Sequence, residues 1–225
     1  MIASHNGPAP VLGSHGGPPI TEIATGRRMA DTKRKNSLLN GRFLFLQEFL
    51  KHPLQIGSII PSSGFLEQRI LDVAGITSAT TIVELGSGTG GTTRAILGSM
   101  PQNARLLSIE INPRLHAMVS GIRDDRLIAH HGSAAELGRI LSTYGLEAPE
   151  VIISGIPFST LDNAEGCLVI EAISSLLAPS GRFVAYQVSK RVATLCRPVL
   201  GPERMMLELL NIPPMRVYQW EKQST

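Results

Sequence analysis

A chain of 225 residues with 43% hydrophobic and only 4% aromatic content is long enough to bury the core of one α/β domain, and this composition suits parallel strands under aliphatic helices. No apolar run reaches the about eighteen uncharged residues of a spanning helix, and Cys167 and Cys196 make no metal-ligand spacing with the scattered histidines. A membrane span, a disulfide framework and a metal centre are therefore not expected, and both thiols read as small core residues in a reducing cytoplasm.

The formal charge of +3 is uneven. Before Pro53, Arg27, Arg28, Lys33, Arg34, Lys35, Arg42 and Lys51 outnumber Glu22, Asp31 and Glu48, which leaves the remaining body at −1. An acidic partner would meet the N-terminal segment. Residues 1–36 read as a disordered basic tail, because the Gly, Pro, His and Ser of the first 26 offer too little apolar surface to offset ordering entropy. No signal-peptide pattern opens the chain, and Met29 begins an ordinary-looking start at which the natural protein is expected to begin.

The domain is expected over 37–225, opened by a helix at 37–52. There Leu39, Phe43, Leu46 and Leu50 recur at helical spacing, broadened by Leu38, Phe45 and Phe49. Preceded by Lys33-Arg34-Lys35, such a helix suits an anionic membrane surface as well as it suits packing on the domain. Ser62 or Ser63 can cap the next helix, 64–74.

The pattern then alternates: strand 81–85, helix 91–99, strand 105–109, helix 113–121, strand 126–130, helix 134–142, strand 150–154, helix 163–177, strand 182–188. Alternation of this kind predicts a doubly wound, mainly parallel sheet of seven strands with a ligand at its carboxyl edge. A closing antiparallel pair comes from the last segment, Arg204–Leu210 and Met215–Glu221 around Asn211-Ile212-Pro213-Pro214.

The first strand runs into Glu84-Leu85-Gly86-Ser87-Gly88-Thr89-Gly90-Gly91 and directly into a helix, which presents backbone N–H groups to a nucleotide-type cofactor. Gly86, Gly88 and Gly91 fit the GxGxxG of dinucleotide sites, while Gly86, Gly88 and Gly90 fit the GxGxG of S-adenosylmethionine methyltransferases. About twenty residues on, Glu110 closes the second strand, where a carboxylate can accept from ribose hydroxyls or can simply favour a helix's first turn. The fourth strand ends in Ser154-Gly155-Ile156-Pro157-Phe158, a turn of the kind that amine-methylating enzymes place beside the transferred methyl; Phe158 could equally be a core residue. The chain has no second mononucleotide half, which favours methyl transfer over hydride transfer.

These segments, with Pro53-Leu54-Gln55-Ile56-Gly57-Ser58-Ile59-Ile60-Pro61-Ser62-Ser63 and Asn211-Ile212-Pro213-Pro214 near Val217-Tyr218, resemble the bacterial phospholipid N-methyltransferases, which are themselves similar to the ribosomal RNA adenine dimethylases. The resemblance runs from about Leu38 to Glu221 and implies the Rossmann-like methyltransferase fold. It implies S-adenosylmethionine as cofactor, held by Glu84, Gly86, Ser87, Gly88, Thr89, Gly90, Glu110, Ile111, Ser133, Ala134 and Ser154. It further implies a reaction centre at Gly155, Ile156, Pro157 and Phe158, Ile60, Pro61 and Ser62 lining the substrate, and membrane attachment through helix 37–52.

Two departures stand out. Related enzymes usually carry Asp where Ser133 stands, and Ser133 can also be only a helix cap. Adenine-methylating relatives carry Asn or Asp where Gly155 stands; the glycine favours an alkylamine, unless it merely serves a positive φ. The expected activity is N-methylation of an amino-phospholipid, phosphatidylethanolamine toward phosphatidylcholine, by a cytoplasmic, peripherally membrane-bound enzyme without metal or nucleic-acid partner. An rRNA adenine N6-methyltransferase, an enzyme for another small amine, and a cofactor-binding protein without chemistry are the alternatives.

Overall fold

The computed structural model describes Met1, residues 64–211 and residues 213–224. The expected tail, the helix at 37–52 and the positions Ile60, Pro61 and Ser62 lie outside the described residues. The described elements are α1 (Gly64–Ala74), β1 (Thr81–Leu85), α2 (Gly91–Ser99), β2 (Arg105–Glu110), α3 (Pro113–Ser120), β3 (Leu127–His131), α4 (Leu137–Tyr144), β4 (Val151–Ser154), α5 (Asn163–Leu176), β5 (Arg182–Gln187), α6 (Arg191–Leu200), β6 (Arg204–Glu208) and β7 (Met215–Glu221).

The strands form one sheet in the order β3-β2-β1-β4-β5-β7-β6. The first five run parallel, and β7 pairs antiparallel with both β5 and β6. Every residue of β1 is buried, as a central parallel strand covered on both faces requires. Alternate side chains feed alternate layers. Val83, Leu85, Leu107, Ile109, Ile152 and Phe183 pack against the α4–α6 side, and Ile82, Leu106, Ile153, Val184 and Val217 against Leu66, Ile70 and Ile96 of α1 and α2. Each such aliphatic side chain contributes roughly 2–3 kcal/mol on burial.

Helix starts follow local chemistry. Asn112 caps α3 by accepting from the Arg114 and Leu115 N–H groups, with Pro113 at the first helical position. Asp162 and Glu165 form a capping box at α5. Two readings need correction. The segment 134–142 begins as a single 3₁₀ turn, Ala134–Glu136, before α4, and the chain carries a helix that the sequence pattern did not suggest, α6. Its apolar face, Val192, Ala193 and Cys196, is short, and Pro198 in its last turn reads as a stop. Cys196 is buried there, whereas Cys167, expected in the core, is exposed on α5.

The chain leaves β1 toward β2 and β3 on one side and returns to β4 on the other. This reversal opens a crevice over the carboxyl ends of β1 and β4. Because β7 is antiparallel to β5, with Gln187 opposite Arg216, the β6–β7 connection lies at that same edge.

Candidate active site

Three glycines of the turn after β1 adopt left-handed backbone angles: Gly86 at φ 75°, Gly88 at 57° and Gly90 at 81°. Gly91 does not; it opens α2. The backbone requirement thus falls on the 86, 88, 90 spacing, the methyltransferase pattern. The turn is pinned from both neighbours: Gly86 N–H donates to the Ile109 carbonyl at 2.8 Å, and Gly155 N–H donates to the Leu85 carbonyl at 2.9 Å. A Cβ on Gly86 would stand 3.2 Å from the Ile156 nitrogen, so the two turns pack backbone to backbone.

Glu110, nearly buried, ties the glycine turn to α3. One carboxylate oxygen accepts from Gly88 N–H at 3.0 Å and the other from Asn112 N–H at 2.9 Å. Each oxygen retains acceptor capacity, as a contact to ribose hydroxyls needs. Ile111 beside it is exposed at the edge. The β3 exit joins here through Gly132 N–H to the Glu110 carbonyl, followed by half-buried Ser133 and buried Ala134; the Ser133 hydroxyl accepts from Ala135 N–H and so caps the 3₁₀ turn.

Two of the residues expected at the site are buried. Glu84 is sealed from solvent. It lies under the turn, accepting from the Thr93 hydroxyl at 2.6 Å and the Ser108 hydroxyl at 2.8 Å, and burial pushes its carboxyl up to about 7 despite those bonds. Phe158, expected beside the methyl group, is fully buried in the core under the β4 turn. Ser154 is also buried and accepts from Ile156 N–H at 3.3 Å, while Gly155 and Ile156 are half-buried and Pro157 is exposed.

Other residues of the site were not anticipated. Gln187, at the end of β5, donates its side-chain N–H to the Ile156 carbonyl at 2.8 Å. The Tyr186 hydroxyl lies 3.2 Å from the Thr92 hydroxyl. Burial, with Glu84 nearby, pushes the phenol well above its ordinary range, so it stays neutral. The signal available in the sequence was positional: both residues end a parallel strand at the ligand edge.

Donor chemistry fits S-adenosylmethionine. The turn presents N–H groups at the start of α2, space is open beyond Gly88, the buried Ser87 hydroxyl has no partner among the described residues, and Glu110 stands one strand away. Among the described residues no group of His, Cys, Asp and Glu could hold a metal, and no helix is long and apolar enough to cross a membrane.

No family model matches the chain. An ornithine lipid N-methyltransferase of Singulisphaera acidiphila is 29% identical over 179 residues, covering 78% of this chain and 93% of that protein. The N-methyltransferase NodS of Bradyrhizobium japonicum WM9, in complex with S-adenosyl-L-homocysteine, superposes with a TM-score of 0.63 at 14% identity, over 80% of this chain and 98% of that one. A precorrin-6y C5,15-methyltransferase of Geobacter metallireducens GS-15 gives 0.58 at 14% identity, over 74% and 92%. This is the fold of the class I S-adenosylmethionine-dependent methyltransferases, and the glycine turn carries their spacing. The chain is thus similar in sequence to a lipid N-methyltransferase and in fold to an N-methyltransferase that binds S-adenosyl-L-homocysteine.

Proposed function

We propose that the chain methylates the headgroup amine of an amino-lipid at a membrane surface, with phosphatidylethanolamine and ornithine lipid as the acceptors to test first. The cofactor supplies an electrophilic methyl on a sulfonium. The protein aligns the amine lone pair with that carbon, about 3 Å away, and excludes water. The 154–158 turn serves this alignment. Ile156 is held by Gln187, Pro157 fixes the chain direction, and Gly155 brings the turn against Gly86.

Gly155 carries the reading. It offers no side-chain acceptor for the planar amino group of a nucleobase, and the space such a side chain would take is filled by the Tyr186 phenol and the Gly86 carbonyl. The lipid-modifying relative supports the same acceptor class. Support for access from a membrane comes from the edge itself, where Phe65, Ile111, Val188, Leu209 and Leu210 are large apolar side chains left exposed. Leu209 and Leu210 occupy the β6–β7 connection, and Phe65 stands one helical turn before Arg69, which bonds Glu208 at the end of β6. A helix at 37–52 would add an amphipathic anchor.

Vesicles carrying phosphatidylethanolamine or ornithine lipid, incubated with enzyme and radiolabelled cofactor, should yield labelled lipid. Label appearing only in soluble amines, or only in RNA, would remove the lipid reading.

A further inference from the structure

Packing, and not backbone angle, imposes glycine at 155. Its φ lies outside the left-handed region, while a Cβ there would stand 2.8 Å from the Gly86 carbonyl oxygen and 2.9 Å from Tyr186 Cζ, and closer still to the Tyr186 hydroxyl. Ser154 pairs with Ala185, so Gly155 and Tyr186 are the next step in register, both at the carboxyl edge. The phenol oxygen therefore stands where a side chain at 155 would begin.

Its hydrogen-bond capacity is not exhausted. Among the described residues its polar partner is the Thr92 hydroxyl in the first turn of α2. Whichever of the two donates, the phenol oxygen keeps an acceptor position. The surroundings are acidic: Glu84 lies beneath, Glu67 reaches from α1 to within 2.9 Å of a Cβ built on Gly91, and Glu110 stands across the turn. Burial, reinforced by these carboxyl groups, holds the phenol neutral, as an acceptor and not a base.

We propose that Tyr186 is a catalytic and specificity-determining residue: its hydroxyl oxygen accepts an N–H of the acceptor amine, taking the place of the side chain that position 155 lacks, and so aims the amine lone pair at the sulfonium methyl. The inference rests on the amine-methylating reading above. In the step itself the neutral amine's lone pair forms the N–C bond while the S–C electrons remain on sulfur as the thioether. The ammonium product then gives its proton to water. A primary amine brings two N–H groups to this step, a monomethylated one brings one, and a dimethylated one none. Tyr186 thus aids the first two transfers and is idle in a third.

The experiment compares wild type with Tyr186→Phe on phosphatidylethanolamine and its N-methyl and N,N-dimethyl derivatives in vesicles, and in parallel on ethanolamine and its two methylated forms in solution, with calorimetric binding of S-adenosylhomocysteine. Loss of one hydrogen bond in the reacting complex should lower kcat about 10- to 100-fold for the primary and monomethyl acceptors. The dimethyl acceptor and product binding should stay within about twofold of wild type. Thr92→Val, which removes the bond that holds the phenol, should give the same graded pattern at smaller amplitude. Unchanged transfer to the primary amine overturns the proposal, as does an equal loss on all three acceptors with weakened product binding, the mark of a structural role. If wild type ignores the lipids but methylates the soluble series, the lipid reading fails while the graded pattern still decides the role of Tyr186. A wild type that methylates no amine overturns both.

Discussion

The two faces of the sheet are built from different materials. Against α4, α5 and α6 the layer is hydrocarbon almost throughout, with Val83, Leu85, Leu107, Phe158, Phe183 and Trp220 buried together. Trp220 stacks on Phe183 at 5.2 Å and gives its indole N–H to the Gly201 carbonyl. Against α1 and α2 the same strands place Glu84, Ser108 and Tyr186, which meet Thr92 and Thr93 of α2 beneath the glycine turn. One face carries stability and the other trades part of it for a polar floor beneath the reacting atoms, since a buried carboxylate is paid in desolvation.

The largest test breaks the hydrocarbon face. Phe158→Ala should destabilise by about 3–5 kcal/mol in denaturant unfolding. A small effect would mean that the ring is not core.

Next in size is the polar face, through Glu84. Its folded value of about 7 lies above its ordinary 4.5, so the folded state keeps a proton that the unfolded chain releases. That stability is fully present below about pH 4.5 and is lost as pH rises to about 7, about 3 kcal/mol in all at one pKa unit per 1.36 kcal/mol. Denaturant midpoints across this window should show the decline, and Glu84→Gln, which keeps an acceptor for Thr93 and Ser108, should flatten it. A wild-type profile as flat as that of the variant would show that Glu84 is not sealed.

Gly86→Ala sharpens the comparison at the turn itself. A left-handed φ of 75° and the 3.2 Å approach to Ile156 N should together cost about 1–3 kcal/mol and weaken cofactor binding at least about tenfold, measurable by melting with and without S-adenosylhomocysteine. The smallest expected effect is Glu110→Gln: the amide gives an oxygen to only one of Gly88 N–H and Asn112 N–H, so stability should fall by about 1 kcal/mol and cofactor affinity about tenfold. Unchanged affinity in calorimetry would detach Glu110 from the cofactor.

Much of the fold was legible along the chain. Strand 81–85 and helix 91–99 carry the boundaries that periodicity suggested, because a fully buried β-branched strand and a glycine turn are local signals. α6 was not, since its apolar face spans one turn beside charged residues and Pro198. At the site, the glycine spacing and the edge position of Glu110 could be read directly. The inward turn of Glu84 and Phe158 could not, because a motif shows which residues recur and not which face of the strand each occupies. Tyr186 and Gln187 carry no motif; they enter the site only because β5 lies beside β4.

The sequence by itself determined the alternating architecture and the glycine turn, both of which rest on short-range spacing. Only the tertiary structure decided that glycine at 155 answers to a phenol from the neighbouring strand, that Glu84 is a sealed support, and that the apolar β6–β7 connection shares an edge with the cofactor turn. Those relations join residues of different elements, and strand order and helix packing, which no local pattern encodes, bring them together.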